Sequence, residues 1–148
     1  MEDKKPPSTV RSVMTQLVIT TKTDSSVREA AELMRKKNVG SIVVTYEGKP
    51  VGIVTERDIV ERVVARGLDA SKVQMKEVMS KSLITTTGEM PIIEAIRMMQ
   101  KKKIRRLLIM ENKKLIGIIT QRDLLRALAF HMVISFRPLL ETNWEASK

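Results

Sequence analysis

Two matching sets of reactive side chains recur in the sequence. Thr55-Glu56-Arg57-Asp58 and Thr120-Gln121-Arg122-Asp123 each place a hydroxyl and a carboxylate three residues apart. At a helix start that spacing forms a capping box, in which Thr accepts from the third amide and Asp reaches back. A second feature is charge, a formal net +10. Residues 1–74 carry 13 basic and 10 acidic side chains, and residues 75–148 carry 14 and 7. The excess is concentrated at Lys101, Lys102, Lys103, Arg105 and Arg106, with Lys113 and Lys114 nearby. Such a field attracts phosphate on a nucleotide, a nucleic acid or a membrane surface, and charge alone does not choose among them.

Catalysis finds no comparable footing. There is no cysteine, so there is no disulfide framework, thiolate metal site or cysteine nucleophile. The only histidine, His131, falls near the end of the last helical pattern, where it reads as a polar group at a helix C-terminus. No metal-ligand cluster, nucleophile–base pair or Walker-type glycine loop is marked out. The expectation is a protein that is not an enzyme.

The elements that must position these groups emerge from a duplication. Shifted by 65 residues, the sequence falls onto itself without a gap: 16 of 52 positions are identical between 13–64 and 78–129. Val13-Met14 lands on Val78-Met79, Ile19-Thr20-Thr21 on Ile84-Thr85-Thr86, and Gly52-Ile53-Val54-Thr55 on Gly117-Ile118-Ile119-Thr120. In each copy a short extended piece (Val18 to Thr21; Leu83 to Thr86) leads into a helix. Ser26 and Glu29 form a capping box for the first, and Pro91 suits the first helical position of the second. Val27, Ala30, Ala31 and Met34 recur at helical spacing, as do Ile92, Ala95, Ile96 and Met99. Two β-branched runs follow, Ser41–Thr45 and Val51–Thr55, split by the turn Glu47-Gly48-Lys49-Pro50. A second helix starts after Thr55 or Thr120, and Gly67 stops the first copy.

The fold class is therefore α/β (α+β): two tandem β-α-β-β-α repeats packed through their sheets with pseudo-twofold symmetry. The boundaries are an N-terminal tail 1–9, repeat one 10–67, a linker 68–74, repeat two 75–131 and a C-terminal extension 132–148. Aromatics are 3% of the chain, so the core is aliphatic, with Met98, Met99, Met110 and Met132 as flexible core or interface filler. No apolar run approaches the roughly 20 residues that span a bilayer, and the start MEDKKPPST lacks a signal-peptide apolar segment. No membrane insertion and a cytoplasmic location are expected.

The repeated pattern, with V-M, I-T-T, E-A and G-h-[IV]-T-x-R-D at one fixed spacing, resembles the CBS domain, which occurs as tandem pairs in many regulatory proteins. The resemblance covers about residues 10–130. It implies a regulatory, non-catalytic module whose clefts bind AMP, ADP, ATP or S-adenosylmethionine, with no cofactor required. It also implies that Asp58 and Asp123 accept from ribose hydroxyls and that Thr55 and Thr120 donate to phosphate. The backbone around Ile19-Thr20 and Ile84-Thr85 would take the adenine edge. Gly40-Ser41-Ile42 or Arg105-Arg106-Leu107 would border the same cleft. Many members carry proline where this chain has Val43 and Leu108. Because Gly40-Ser41 in one copy becomes Arg105-Arg106 in the other, the second cleft is expected to prefer phosphate more strongly.

Other readings stand beside this one. Thr-x-x-Asp is a helix cap in its own right, and a cap and a ligand contact can coexist. Arg57 and Arg122 suit surface or inter-chain salt bridges. The basic cluster motivates a nucleic-acid adaptor, although Tyr46, Phe130, Phe136 and Trp144 are too dispersed for a stacking platform. Leu128, Phe130, Val133, Ile134 and Phe136 run on without a stop until Arg137-Pro138, which suits packing on the chain's own domain or on a second chain. A disk-like homodimer follows from the resemblance, as does output through a partner enzyme or transporter regulated in trans.

Overall fold

The computed structural model describes residues 8–145, with side chains through residue 135. It contains two three-stranded sheets built alike. In the first, β1 (Thr20–Lys22) lies parallel to β2 (Ser41–Tyr46), which pairs antiparallel with β3 (Lys49–Thr55). Parallel neighbours need a crossover, and α1 (Val27–Lys37) supplies it. After β3 come α2 (Glu56–Ile59), a π-helical continuation over Val60–Val64 and α3 (Met75–Val78). The second sheet repeats the order with β4 (Thr85–Thr86), α4 (Ile92–Lys102), β5 (Arg106–Glu111) and β6 (Lys114–Thr120), followed by α5 (Gln121–Glu145). The registers match at the 65-residue spacing: Val43 faces Ile53, and Leu108 faces Ile118.

Local sequence explains the boundaries. The Ser26 hydroxyl accepts from the Glu29 amide and the Glu29 carboxylate from the Ser26 amide, forming the expected capping box. Pro91 is the residue before the first helical position rather than the first itself; there too its missing N–H breaks no helical bond. Helices α1 and α4 end in left-handed residues, Asn38 at φ 54° and Lys103 at φ 52°. Each hairpin turns on two left-handed residues, Glu47-Gly48 and Asn112-Lys113. That is the turn sense matching the twist of the flanking strands, so β3 begins at Lys49, earlier than the four-residue turn implied.

Each sheet packs one face on its own helices. The first core joins Val27, Ala30 and Met34 of α1 to Ile42, Val44, Val54 and Val63, and the second joins Ile92, Ala95 and Met99 to Leu107, Ile109, Ile119 and Leu124. The segments that lead into the repeats are exchanged. Met75 and Val78, just ahead of the second sheet, are buried in the first core, while Val10 is buried in the second. Ser80 and Ile53 trade two backbone hydrogen bonds, and so do Thr15 and Ile118. Met79 consequently lies over Gly52, and Met14 over Gly117. Arg11 fastens its segment further by ion pairs to Glu89 and Glu111 at 3.1 and 3.0 Å. The halves cannot part without breaking this reciprocal strapping.

Helix α5 corrects two expectations. It runs through Pro138 to Glu145. His131 is therefore an exposed mid-helix residue rather than a C-terminal one. Leu125, Phe130 and Val133 are 59%, 58% and 67% exposed, and Met132, expected as core or interface filler, is equally open to solvent and lies outside the core. The side chains of Phe136 and Trp144 lie outside the described residues.

Candidate functional site

Both Thr-x-x-Asp motifs close as capping boxes. The Thr55 amide and hydroxyl donate to Asp58 Oδ2 at 2.8 and 3.0 Å, and the Thr55 hydroxyl accepts from the Asp58 amide at 3.2 Å. The same three bonds in the second repeat measure 2.9, 2.9 and 3.2 Å. The copies then diverge. Asp58 Oδ1 forms an ion pair with Arg62 at 3.2 Å. Arg62 also donates to the Val78 carbonyl and to the Ser80 hydroxyl, the latter at 3.3 Å. Its counterpart 65 residues on is Ala127. One motif is thus tied to the exchanged segment, and the other is not.

A cleft of about 510 Å³ opens between the repeats. The first repeat contributes Gly40, Ile53, Thr55, Glu56 and Arg57, and the second contributes Ser80, Ser82, Leu83, Ile84 and the run from Lys103 to Arg106. Of the residues expected from sequence, the structure brings together Thr55, Ile84, Arg105 and Arg106 here. Asp58 stands behind Thr55 in its capping box, and Ile42 is buried in the first core. Ile19, Thr20, Ser41, Thr85, Thr120 and Asp123 do not line this cleft.

Arg105 and Arg106 thus share a cleft with Thr55 of the first repeat, and Thr120 and Asp123 of their own repeat do not line it. The main chain does stay with its own repeat: Arg106 is the register partner of Thr120, and the Arg105 carbonyl accepts from Gln121 at 2.9 Å. The side chains nevertheless border the end of β3, lining one cleft with Ile53, Thr55 and Glu56. Arg106 reaches toward Gly40, where a Cβ would stand 3.4 Å from Glu56 Oε2 and 3.7 Å from Arg106 Nη2. A methyl there would meet both groups at ordinary contact distance.

Arg106 is half-buried, and its Nε lacks a hydrogen-bond partner among the described residues. Burial, and then the charge of Arg105, push its guanidinium below the ordinary arginine range, while Glu56 and Asp58 pull the other way. Arg57 is occupied by Glu61 at 2.6 Å, as a surface ion pair. Gly40, Ser80, Ser82, Lys103 and Arg62 were not singled out by sequence. The 65-residue shift shows that Asn38-Val39-Gly40-Ser41 and Lys103-Ile104-Arg105-Arg106 are equivalent, but not that the second set faces the first repeat's helix. Among the described residues no cluster of three His, Asp or Glu side chains could hold a metal, and no helix is long and apolar enough to cross a membrane.

Two further grooves are related by the same shift. One, of about 400 Å³, lies between α4 and α5 and is lined by Ile96, Met99, Ile104, Leu124, Leu125 and Leu128. Its twin of about 620 Å³ is lined by Ala31, Met34, Val39, Ile59 and Val60 together with polar residues.

Comparison with known proteins gives the same frame. The family model described as "CBS domain" matches residues 10–65 and 75–130. The CBS domain-containing protein YhcV of Bacillus subtilis is 38% identical over 117 residues, covering 79% of this chain and 83% of that protein. An uncharacterized protein of Methanopyrus kandleri is 41% identical over 111 residues, 74% of this chain, which spans only 57% of that relative. Among solved structures, an uncharacterized conserved protein from Pyrococcus horikoshii superposes with a TM-score of 0.76 at 35% identity, covering 83% of this chain and 93% of the other. The CBS domain pair of protein MJ0100, solved in complex with 5′-methylthioadenosine and S-adenosyl-L-methionine, has a TM-score of 0.75 at 26% identity, covering 84% and 99%.

Proposed function

Since this chain belongs to the CBS domain family, we propose that it is a non-catalytic regulatory module that binds an adenosine-containing ligand between its repeats. The observation that carries this reading is the composite cleft, in which Thr55 of one repeat faces Ile84, Arg105 and Arg106 of the other. Apolar Ile53, Leu83 and Ile84 offer a surface for a purine, and the hydroxyls and guanidiniums offer partners for ribose and phosphate. Asp58 would take the ribose hydroxyls, exchanging its bond from Thr55 or its ion pair with Arg62 for them. Ile84 and Thr85 would meet the adenine edge. In the pseudo-symmetric position Thr120 and Asp123 would act with Ile19, Thr20, Ser41 and Ile42. AMP, ADP, ATP and S-adenosylmethionine are the candidates, and the MJ0100 pair supports the class.

A ligand held by residues from both repeats changes their relative position only through contacts that differ between two arrangements. Because the lining comes from both repeats, its contacts would change with their relative position, and a partner enzyme or transporter would read the change. The exposed apolar residues of α5 beside the α4–α5 groove support a homodimer through these helices. Light scattering should give a dimer, and Leu125→Lys with Leu128→Lys should give a monomer.

Calorimetric titration with the four ligands, on wild-type protein, Asp58→Ala and Asp123→Ala, tests the central claim. Saturable binding of one ligand, weakened in a variant, is expected. No binding of any of them to ligand-free wild-type protein would leave both motifs as helix caps. Salt-sensitive binding to RNA or DNA instead would then favour the basic surface as the functional one.

A further inference from the structure

The cleft between the repeats and the position that the 65-residue shift relates to it are unequal in charge. Lys103, Arg105 and Arg106 line the cleft that holds Thr55, against one carboxylate, Glu56. Among the described residues none of the three has a carboxylate within ion-pair distance. Arg57, the fourth cation at the rim, is already engaged by Glu61. The 65-residue shift replaces the three cations by Asn38, Gly40 and Ser41, Gly40 by Arg105 and Glu56 by Gln121, leaving Arg105 and Arg122 as the only cations at the related position.

Like charges crowded at a half-buried site oppose folding, and Arg106 keeps a buried Nε without a partner. A group that costs the empty protein free energy is explained when a ligand supplies what it lacks, here several anionic oxygens. Guanidinium groups suit that task because their planar forks match phosphate. S-adenosylmethionine offers the opposite chemistry, a sulfonium and an ammonium against one carboxylate. Resting on the adenosine-binding reading above, we infer that the Thr55–Arg106 cleft takes an adenosine di- or triphosphate in preference to S-adenosylmethionine, and that the related position does not share this preference. Each chain then binds one polyphosphate nucleotide.

Titration of ATP, adenosine and S-adenosylmethionine into the full chain, at low and at high salt, decides the matter. ATP should bind at least about tenfold more tightly than adenosine, equivalent to about 1.4 kcal/mol. That gap should shrink as salt rises, and the stoichiometry should be one per chain. In the double variant Arg105→Gly, Arg106→Ser, which copies the first repeat onto the second, the ATP-to-adenosine ratio should fall toward unity. The ratio is the readout, so a general loss of binding does not count for the idea. If the double variant fails to fold, the wild-type comparison and its salt dependence still decide. Equal affinity for ATP and S-adenosylmethionine, or a ratio unchanged in the variant, overturns the inference while leaving adenosine binding intact. Failure of all three compounds to bind removes the underlying reading as well.

Discussion

Substituting Gly52 by alanine tests the reciprocal strapping on which the composite cleft depends. A Cβ at position 52 would stand 2.8 Å from Met79 Cγ and 2.9 Å from Met79 Cβ, besides meeting the Met79 sulfur. Carbon atoms in contact prefer about 3.5–4.0 Å, so the strap must move. Rotating the Met79 side chain would clear the sulfur but not Cβ, whose place is set by the backbone. That backbone is pinned on both sides, by buried Val78 and by the two hydrogen bonds between Ser80 and Ile53. Overpacking of this kind costs about 1–3 kcal/mol. Removing a glycine from the unfolded chain returns about 0.4–1 kcal/mol. The net expectation is a loss of about 1–2 kcal/mol, which for a chain of this length is a melting temperature lower by roughly 2–8 °C. Thermal and urea denaturation of Gly52→Ala, Met79→Ala and the double variant would measure it. The double variant should be less destabilised than the two singles added, with a coupling of about 0.5–3 kcal/mol. Gly117→Ala should cost less than Gly52→Ala, because the nearest atoms there are Met14 Sδ and Cγ, which can swing aside, and Thr15 O at 3.1 Å. Strictly additive effects, or a Gly52→Ala chain as stable as wild type, would refute the exchange.

Three further outcomes follow from the same geometry. Asp123→Ala should lower stability by about 1 kcal/mol through loss of the bonds it accepts from the Thr120 amide and hydroxyl, and Asp58→Ala by more, since Arg62 also loses its carboxylate partner; denaturant titration of both separates the two motifs. Arg106→Ser should leave the melting temperature of the ligand-free protein unchanged or raised, because a cation disfavoured by burial and by Arg105 is removed, yet should shrink the added stability given by saturating ATP, about 2.7 kcal/mol at a hundredfold excess over Kd. Asp69 is held below the usual carboxylate range, first by the Ser71 hydroxyl and then by the Ser71 amide. Its contribution is therefore present above the unfolded value of about 3.9 and is lost as pH falls through the lower folded value; Ser71→Ala should flatten stability against pH in that acid window, and an unchanged profile would contradict the assignment.

The duplication made the order of elements, the capping boxes and the aliphatic faces legible, because each depends on residues close in sequence. Ser26 with Glu29 and Thr55 with Asp58 are local chemistry, and they form as their spacing dictates. The exchange of leading segments was not legible, and the reason lies in the repeat itself. A pattern that recurs every 65 residues has the same spacing whether Met79 covers its own repeat or the other, so self-comparison is blind to the choice. Only three-dimensional closure, with Val10 filling one core and Met75 the other, distinguishes them.

That blindness extends to the arginines. Self-comparison equates Arg106 with Ser41 but does not say which repeat its side chain meets; Arg106 is the register partner of Thr120 in its own sheet, and its guanidinium comes beside Gly40 of the other repeat. The consequence is mechanistic. If each repeat carried a whole site, a ligand could bind without touching the other half, and nothing would couple occupancy to shape. On the proposed reading, a site divided between β3 of one repeat and β5 of the other would make ligand contact depend on how the repeats sit. By linkage, that arrangement then depends on the ligand. The straps set the limits of this response. With Arg62 joining Asp58 to Val78 and Ser80, a ligand that draws Asp58 toward ribose hydroxyls pulls directly on the segment leading into the second repeat. Arg62→Ala should therefore uncouple binding from movement. Nucleotide affinity should change little, while the ligand-induced protection of Ser80 and Ile53 amides from hydrogen exchange should largely disappear. Full protection in that variant would show that the signal travels another way.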